Sequence, residues 1–266
     1  MPATPLLTLD TLFNTSPLAL LGIFAVLTVA YAIFSLVGFG TGLIASTPLA
    51  WAMPVTRIVP LLALLDATSA IQRGYTLRSQ VDRAALLRLV PGMAVGQAIG
   101  VALLRVLPVP LMAALLGGFV MAYGAWSLRS SAPRSQPPTG AAWAWGIGGG
   151  VLGGLFGSGG FVYAAYLQPR LPERNAFRAT QAVLIALSTL WRVALCAATG
   201  LIDGPLLLTA LILLPATHLG NRLAGRVDKR LSVEGFRRVL NGLLIASGLA
   251  LVARAESGYL LRLLSW

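Results

Sequence analysis

Two glycine clusters interrupt apolar runs at matching places in the chain: Phe39-Gly40-Thr41-Gly42 and Phe156-Gly157-Ser158-Gly159-Gly160-Phe161. Glycine inside a helix costs roughly 1 kcal/mol against alanine, and several together end it. A helix that ends at membrane depth frees backbone N–H and C=O groups, which must be satisfied inside protein or beside a polar cavity. The short helix that restarts after each cluster presents unpaired N–H groups and partial positive charge. Glycine lets backbone approach a ligand and form an anion-holding nest. Gly40, Thr41 and Gly42, with Gly157, Ser158, Gly159 and Gly160, are therefore the candidate substrate-binding residues. Thr41 and Ser158 add a hydroxyl at the same position of each cluster. Such a site is rich in donors and low in carboxylates, which suits an oxyanion and suits a metal cation poorly. The alternative is close helix packing through small residues.

Other polar residues inside or beside apolar segments are candidates too. Arg57 and Arg178 open the helices that follow the two clusters; either they snorkel to the interface or they gate and attract an anion. Gln97 and Asn221 each follow a glycine, Gly96 and Gly220; they line the pathway or bond between helices. Asp66 sits well inside an apolar segment, and it carries a proton or pairs with an arginine. Arg192, about two turns from a helix end, snorkels or joins the site. His218 stands alone, so a satisfied core histidine is weighed against a proton carrier. Asp66, Arg192 and His218 are the coupling or gating candidates.

The elements that must position these residues are membrane helices. The 266-residue chain is 57% hydrophobic and 11% charged, with mean hydropathy +0.81, whereas soluble domains carry about 25% charged residues. Its net charge of +12 does not point to nucleic acid, because the arginines lie between apolar runs and fit cytoplasmic loops. Cys196 is the single cysteine and can form no internal disulfide. No Lys or Arg precedes Ser16, so the basic start of a cleavable signal peptide is missing.

Residues 18–37, 56–72, 86–104 and 110–128 read as helices of the first half, with a short apolar piece at 43–51. The Pro- and Ser-rich stretch 129–140 divides the halves. Residues 141–156, 161–168, 177–199, 204–223 and 235–253 repeat the order. The expected organisation is an N-terminal segment (1–17), a first membrane repeat (18–128), the linker, a second repeat (141–253) and an amphipathic tail (254–266). The halves also match by residue. Arg57 aligns with Arg178; Pro91, Gly96 and Gln97 align with Pro215, Gly220 and Asn221; Gly118 and Gly124 align with Gly242 and Gly248. Asp66 and His218 have Leu187 and Ala94 as counterparts.

Charge then orients the halves. The loop 73–88 is basic, while the equivalent loop of the second half has Asp203 and no Lys or Arg; the next loop, 222–230, is strongly basic. Positive-inside places equivalent loops on opposite sides, so the repeats are inverted. The parity works if each glycine-broken long-plus-short pair enters and returns on one side. The expected fold is an all-α integral membrane protein of two inverted repeats, each a re-entrant or long-plus-short helix pair followed by three transmembrane helices. The alternative is a plain eight-span topology.

Four segments resemble the TauE/SafE sulfite-exporter family: VGFGTGLIASTPLA, LGGLFGSGGFVYAAYLQPRL, RNAFRATQAVLIALSTLWR and LGNRLAGRVDKRLSVEGFRRVLNGLLIASGLAL. The resemblance runs from about Leu18 to Arg254, and the last segment is its most specific part. It implies a polytopic inner-membrane protein that moves sulfur-containing anions such as sulfite, sulfoacetate or other organosulfonates. The expected function is secondary transport of such an anion by alternating access around a midplane site. The partners are the anion, the bilayer and a proton or counter-ion, with no cofactor and no nucleic acid. The competing readings are an anion channel, a transporter of another small anion and, remotely, an intramembrane serine protease using Ser158 and His218.

Overall fold

Helix starts in this chain carry recognisable signals. Pro17 occupies the first position of α1 (Pro17–Val37), where a missing N–H is harmless. Asp82 caps α4 (Arg83–Val106), its Oδ1 accepting the Ala85 N–H at 2.8 Å. Asp203 does the same for α8 (Gly204–Val227), accepting the Leu206 N–H at 2.9 Å. Between these lie α2 (Thr41–Leu49), α3 (Val55–Leu77), α5 (Ala142–Phe156), α6 (Gly160–Leu167) and α7 (Arg174–Ala198). A 3-10 turn at Thr139–Ala141 precedes α5.

The structure is a computed structural model that describes residues 17–37, 41–50, 53–77, 80–108, 111–112, 115, 118, 122, 139–171 and 173–227. Gly40, most of the expected helix at 110–128, the expected helix at 235–253 and the tail 254–266 lie outside the described residues. Among the described residues every regular element is a helix, and no strand occurs. Among the described residues three helices are long and apolar enough to cross a membrane, over Arg83–Val106, Asn175–Ala198 and Gly204–Ala224. Leu20–Ser35 and Ala142–Phe156 are shorter apolar helices. Large apolar side chains face outward along the spans, among them Leu87, Val95 and Ile99 on α4 and Leu207 and Leu211 on α8. In water such a belt would be a liability; against lipid tails it is the expected surface.

Both glycine-broken elements are long-plus-short helix pairs. Gly157 ends α5 in the left-handed region (φ 69°). Its N–H bonds the Gly153 carbonyl at 2.9 Å, and the Ser158 N–H bonds the Leu152 carbonyl at 3.3 Å. This closing pair caps the helix and turns the chain. The chain then folds back along α5. The Tyr163 ring lies against Gly149, and Tyr166 reaches Trp145, with ring centroids 6.3 Å apart.

Among the described residues the most extensive interface joins α4 to α5. Gly92, Gly96 and Gly100 of α4 face Gly146, Gly150 and Gly154 of α5, so the two helices run parallel and nearly touch. A Cβ on Gly92 would stand 2.7 Å from the Trp143 carbonyl, and one on Gly154 2.7 Å from the Gln97 carbonyl. This is the small-residue packing that brings membrane helices together. The α1–α8 interface is built the same way: Gly220 abuts the Thr28 carbonyl, the Tyr31 Cβ and the Ala32 backbone nitrogen. α3 and α7 pack on each other between these two pairs, with α4 on α7 and α8 on α3.

Two contacts fix the ends of the bundle. Arg57 and Asp203 meet at 2.7 Å, joining the starts of α3 and α8. At the opposite end the Asp82 N–H donates to Thr180 Oγ1 at 2.9 Å, joining the start of α4 to α7. The helix turns at this second end hold Arg73, Arg83, Arg88, Arg174, Arg178, Arg222 and Arg226, whereas Arg57 and Arg105 stand at the first.

Candidate functional site

The start of α2 meets the break between α5 and α6. Gly42, in the first turn of α2, lies against the Phe156 carbonyl and Gly157. A Cβ there would stand 2.8 Å from Ser158 Oγ, so no larger residue fits without moving the second break. Thr41, Gly42, Ser158, Gly159 and Gly160 are all buried at this junction.

A buried ion pair sits over the junction. Asp66 on α3 and Arg192 on α7 are 3% exposed each, and Arg192 Nη2 donates to Asp66 Oδ2 at 3.0 Å. The Tyr31 hydroxyl on α1 donates to Asp66 Oδ1 at 2.8 Å, and the Thr41 hydroxyl on α2 donates to Oδ2 at 3.1 Å. Arg192 Nη1 donates to the Gly153 carbonyl on α5 at 3.0 Å. One carboxylate and one guanidinium thus tie α1, α2, α3, α5 and α7 to a single point. Arg192 lies close over Gly157: a Cβ on that residue would stand 2.9 Å from Nη1. Glycine is therefore required there twice, by its positive φ and by the guanidinium above it.

Arg192 can donate five hydrogen bonds, yet its buried Nε has no partner. Beside it is a cavity of about 20 Å³ lined by Thr41, Tyr163, Ser188, Thr189 and glycines of the second break. That is room for about one water. Taking two charges out of water costs several kcal/mol per ion, and apolar residues of similar volume often serve stability as well or better. Ionisable groups at membrane depth therefore point to function. An arginine with a spare donor beside a small polar cavity suits a small oxyanion.

The sequence candidates separate into two groups. Thr41, Gly42, Asp66, Gly157, Ser158, Gly159, Gly160 and Arg192 come together; Gly40 lies outside the described residues. Asp66 pairs with an arginine, and Arg192 is buried rather than snorkelling. Among the described residues that line the cavity, Asp66 is the one carboxylate. The paired hydroxyls differ in use: Thr41 donates to Asp66, while Ser158 donates back to the Phe156 carbonyl at 3.1 Å.

Gln97 and Asn221 are tied between helices. Gln97 Nε2 donates to Ser188 Oγ at 3.1 Å, and Asn221 Nδ2 donates to Ser69 Oγ at 2.8 Å. Each bond crosses from one half of the chain to the other. Arg57 and Arg178 are exposed. Arg178 lies fourteen residues before Arg192 on α7, about 21 Å along the axis, so the structure does not bring it to the junction. His218 is corrected from a core position: it is exposed on α8, with Nδ1 3.2 Å from the Leu214 carbonyl of its own helix. Ser158 and His218 each bond locally, and no serine–histidine dyad is assembled.

Sequence reasoning missed Tyr31, Gly153, Tyr163, Ser188 and Thr189. Tyr31 carried a signal, since a tyrosine in mid-helix at membrane depth must find a partner for its hydroxyl.

The family model described as Sulfite exporter TauE/SafE matches residues 23–251. A relative from Comamonas testosteroni, named Probable inner membrane transporter protein TsaS, is 32% identical over 197 residues, 72% of this chain and 81% of its own. Another from Cupriavidus necator, named Probable sulfite/organosulfonate exporter TauE, is 27% identical over 255 residues, 92% of this chain and 98% of its own. No solved structure matches. With most of its length matched and its helices long and apolar enough to span, this chain is a multi-pass membrane protein of the TauE/SafE sulfite exporter family.

Proposed function

We propose that the protein is a secondary transporter of a small sulfur-containing anion of the sulfite or organosulfonate class. It works in the bacterial inner membrane, by alternating access around the junction of the two glycine breaks. The single observation that carries this reading is Arg192, buried with an unpaired Nε beside a polar cavity where both breaks converge. The names of both relatives support the transporter class, and that of the Cupriavidus necator protein supports the substrate class. Thr41, Gly42, Gly157, Ser158, Gly159 and Gly160 form the two tips that close on the anion, and Arg192 supplies the positive charge. Nothing in this role calls for a reaction on the substrate, so the protein is a carrier and not an enzyme.

The halves are inverted repeats. Their packing supports this: α1 on α8 is matched by α4 on α5, α1 on α2 by α5 on α6, α3 on α8 by α4 on α7, and α3 on α7 maps onto itself. The equivalent residues Gly96 and Gly220 make the close approach in the two matched pairs. The gathering of arginine at one end of the bundle supports a cytoplasmic face there. The fold-back of α6 along α5 supports a re-entrant second break that enters and leaves on that face. Arg57 and Arg178 then stand at opposite mouths, where each attracts the anion. A cavity with room for about one water fits a closed state that opens to one side at a time. It does not fit a standing pore.

Reconstitution tests the proposal. Proteoliposomes should show saturable sulfite uptake with counterflow. Linear uptake without counterflow would instead mark a channel.

A further inference from the structure

The ion pair at the junction is asymmetric in a duplicated scaffold. Asp66 has Leu187 as its counterpart, so the carboxylate belongs to one half alone. Among the described residues lining the cavity, Asp66 is the only carboxylate and Arg192 the only cation. An anion that entered would find the guanidinium already satisfied by an oxyanion of the protein itself.

We propose that Asp66 is a built-in stand-in for the transported anion: it neutralises Arg192 while the site is empty, and takes up a proton when an anion takes its place. Each anion then binds together with one proton. This rests on the transport reading above and adds its coupling ion.

The geometry supplies what such an exchange needs. A carboxylate and a sulfonate or sulfite both offer oxygens at the spacing a guanidinium fork accepts, so they compete for the same face. Arg192 also holds the Gly153 carbonyl through Nη1, so it can turn from Asp66 toward the cavity while still anchored. Its buried Nε is a spare donor, and Arg192 itself lines the cavity. If Asp66 stayed charged while Arg192 served a ligand, two anions would share one cation away from water, an arrangement that low polarity penalises strongly. A proton removes that conflict. The partners of Asp66 can follow the change: Tyr31 and Thr41 donate to the carboxylate, and hydroxyl oxygens also accept, so the protonated acid can donate to one of them in return.

Among the described residues, the groups that face the pair from each packed element are few. Tyr31 on α1 and Thr41 on α2 touch Asp66; Tyr163 on α6 and Cys196 on α7 lie within the field of Arg192. None of these is an acid that could take the proton in place of Asp66. When the anion departs, Arg192 returns to Asp66 and the proton is released to the side then open. The proton and the anion therefore travel in the same direction.

The test is isothermal titration of the purified full chain in detergent with methanesulfonate, whose charge is constant across the neutral range. Titrations in buffers of different ionisation enthalpy count the protons. Wild type should take up about one proton per anion, and its apparent Kd should tighten about tenfold per unit fall in pH. Asp66→Asn should bind with no proton uptake and a flat pH profile, at least as tightly as wild type at its best pH. Wild-type binding without proton uptake overturns the proposal and leaves the transport reading standing, and this count decides even if Asp66→Asn fails to fold. Proton uptake unchanged in a folded Asp66→Asn overturns it too. If neither methanesulfonate nor sulfite binds wild type, the anion-site reading falls and takes this proposal with it.

Discussion

Gly42 of the first break and Gly157 of the second are in contact through bare backbone, and Arg192 lies directly above Gly157. The two interruptions are therefore one structure, built from both halves of the chain. Small residues there make room for each other and for the guanidinium.

Substitution at these glycines should be costly in a position-specific way. Gly42→Ala would push a methyl into the Phe156 carbonyl and the Ser158 hydroxyl; overpacking of this kind costs roughly 1–3 kcal/mol. Gly157→Ala adds backbone strain at φ 69° to a clash with Arg192. Both variants should lower the unfolding midpoint in detergent and abolish sulfite uptake. Gly22→Ala and Gly148→Ala meet nothing within 4 Å and should be neutral or gain roughly 0.5–1 kcal/mol as helix formers.

The buried pair should behave as a unit. Removing either partner strands the other, and Asp66→Ala or Arg192→Ala alone should each cost roughly 3–5 kcal/mol. Replacing both with a neutral pair, Asp66→Asn with Arg192→Gln, should restore most of that stability. A double-mutant cycle by chemical denaturation measures the coupling. Additive losses would mean that the two side chains do not interact as the 3.0 Å contact requires.

The surface pair should behave differently. Arg57 and Asp203 have side chains 45% and 40% exposed, and exposed pairs contribute at most about 1 kcal/mol. Arg57→Ala should leave the unfolding midpoint almost unchanged. If Arg57 and Arg178 attract the anion at the two mouths, their alanine variants should slow uptake at low ionic strength and match wild type at high salt.

Much of this was legible in the sequence. The helical membrane class, the break after Phe156 and the long-plus-short helix pairs follow from hydropathy and glycine spacing. Helix limits moved by a few residues where polar residues extend a helix past its apolar run: α3 continues through Gln72, Arg73 and Gly74 to Leu77, and α4 begins at its Asp82 cap. The partner of Asp66 was not legible. Repeat logic favours residues with equivalents, such as Arg57 and Arg178, whereas the ion pair joins two positions 126 residues apart that are not each other's counterparts. Solitary histidine suggested a core position, but His218 satisfies itself on its own helix and faces outward. Helical phase within one element cannot reveal which neighbour covers each face.

Sidedness follows from the end contacts. In a background with the buried Cys196 replaced by alanine, cysteines at 57 and 203 should react with an impermeant maleimide from one face of the membrane. Cysteines at 83 and 178 should react from the other. Labelling of 83 and 178 from opposite faces would contradict the proposed inverted arrangement.

The claim on which the rest depends is that the anion is held by Arg192 where the breaks meet. Uptake of radiolabelled sulfite into proteoliposomes by the Asp66→Asn, Arg192→Gln double variant, shown to be folded, tests it most directly. Uptake at the level of empty liposomes, against saturable uptake by wild type, is the predicted result; uptake equal to wild type would contradict it.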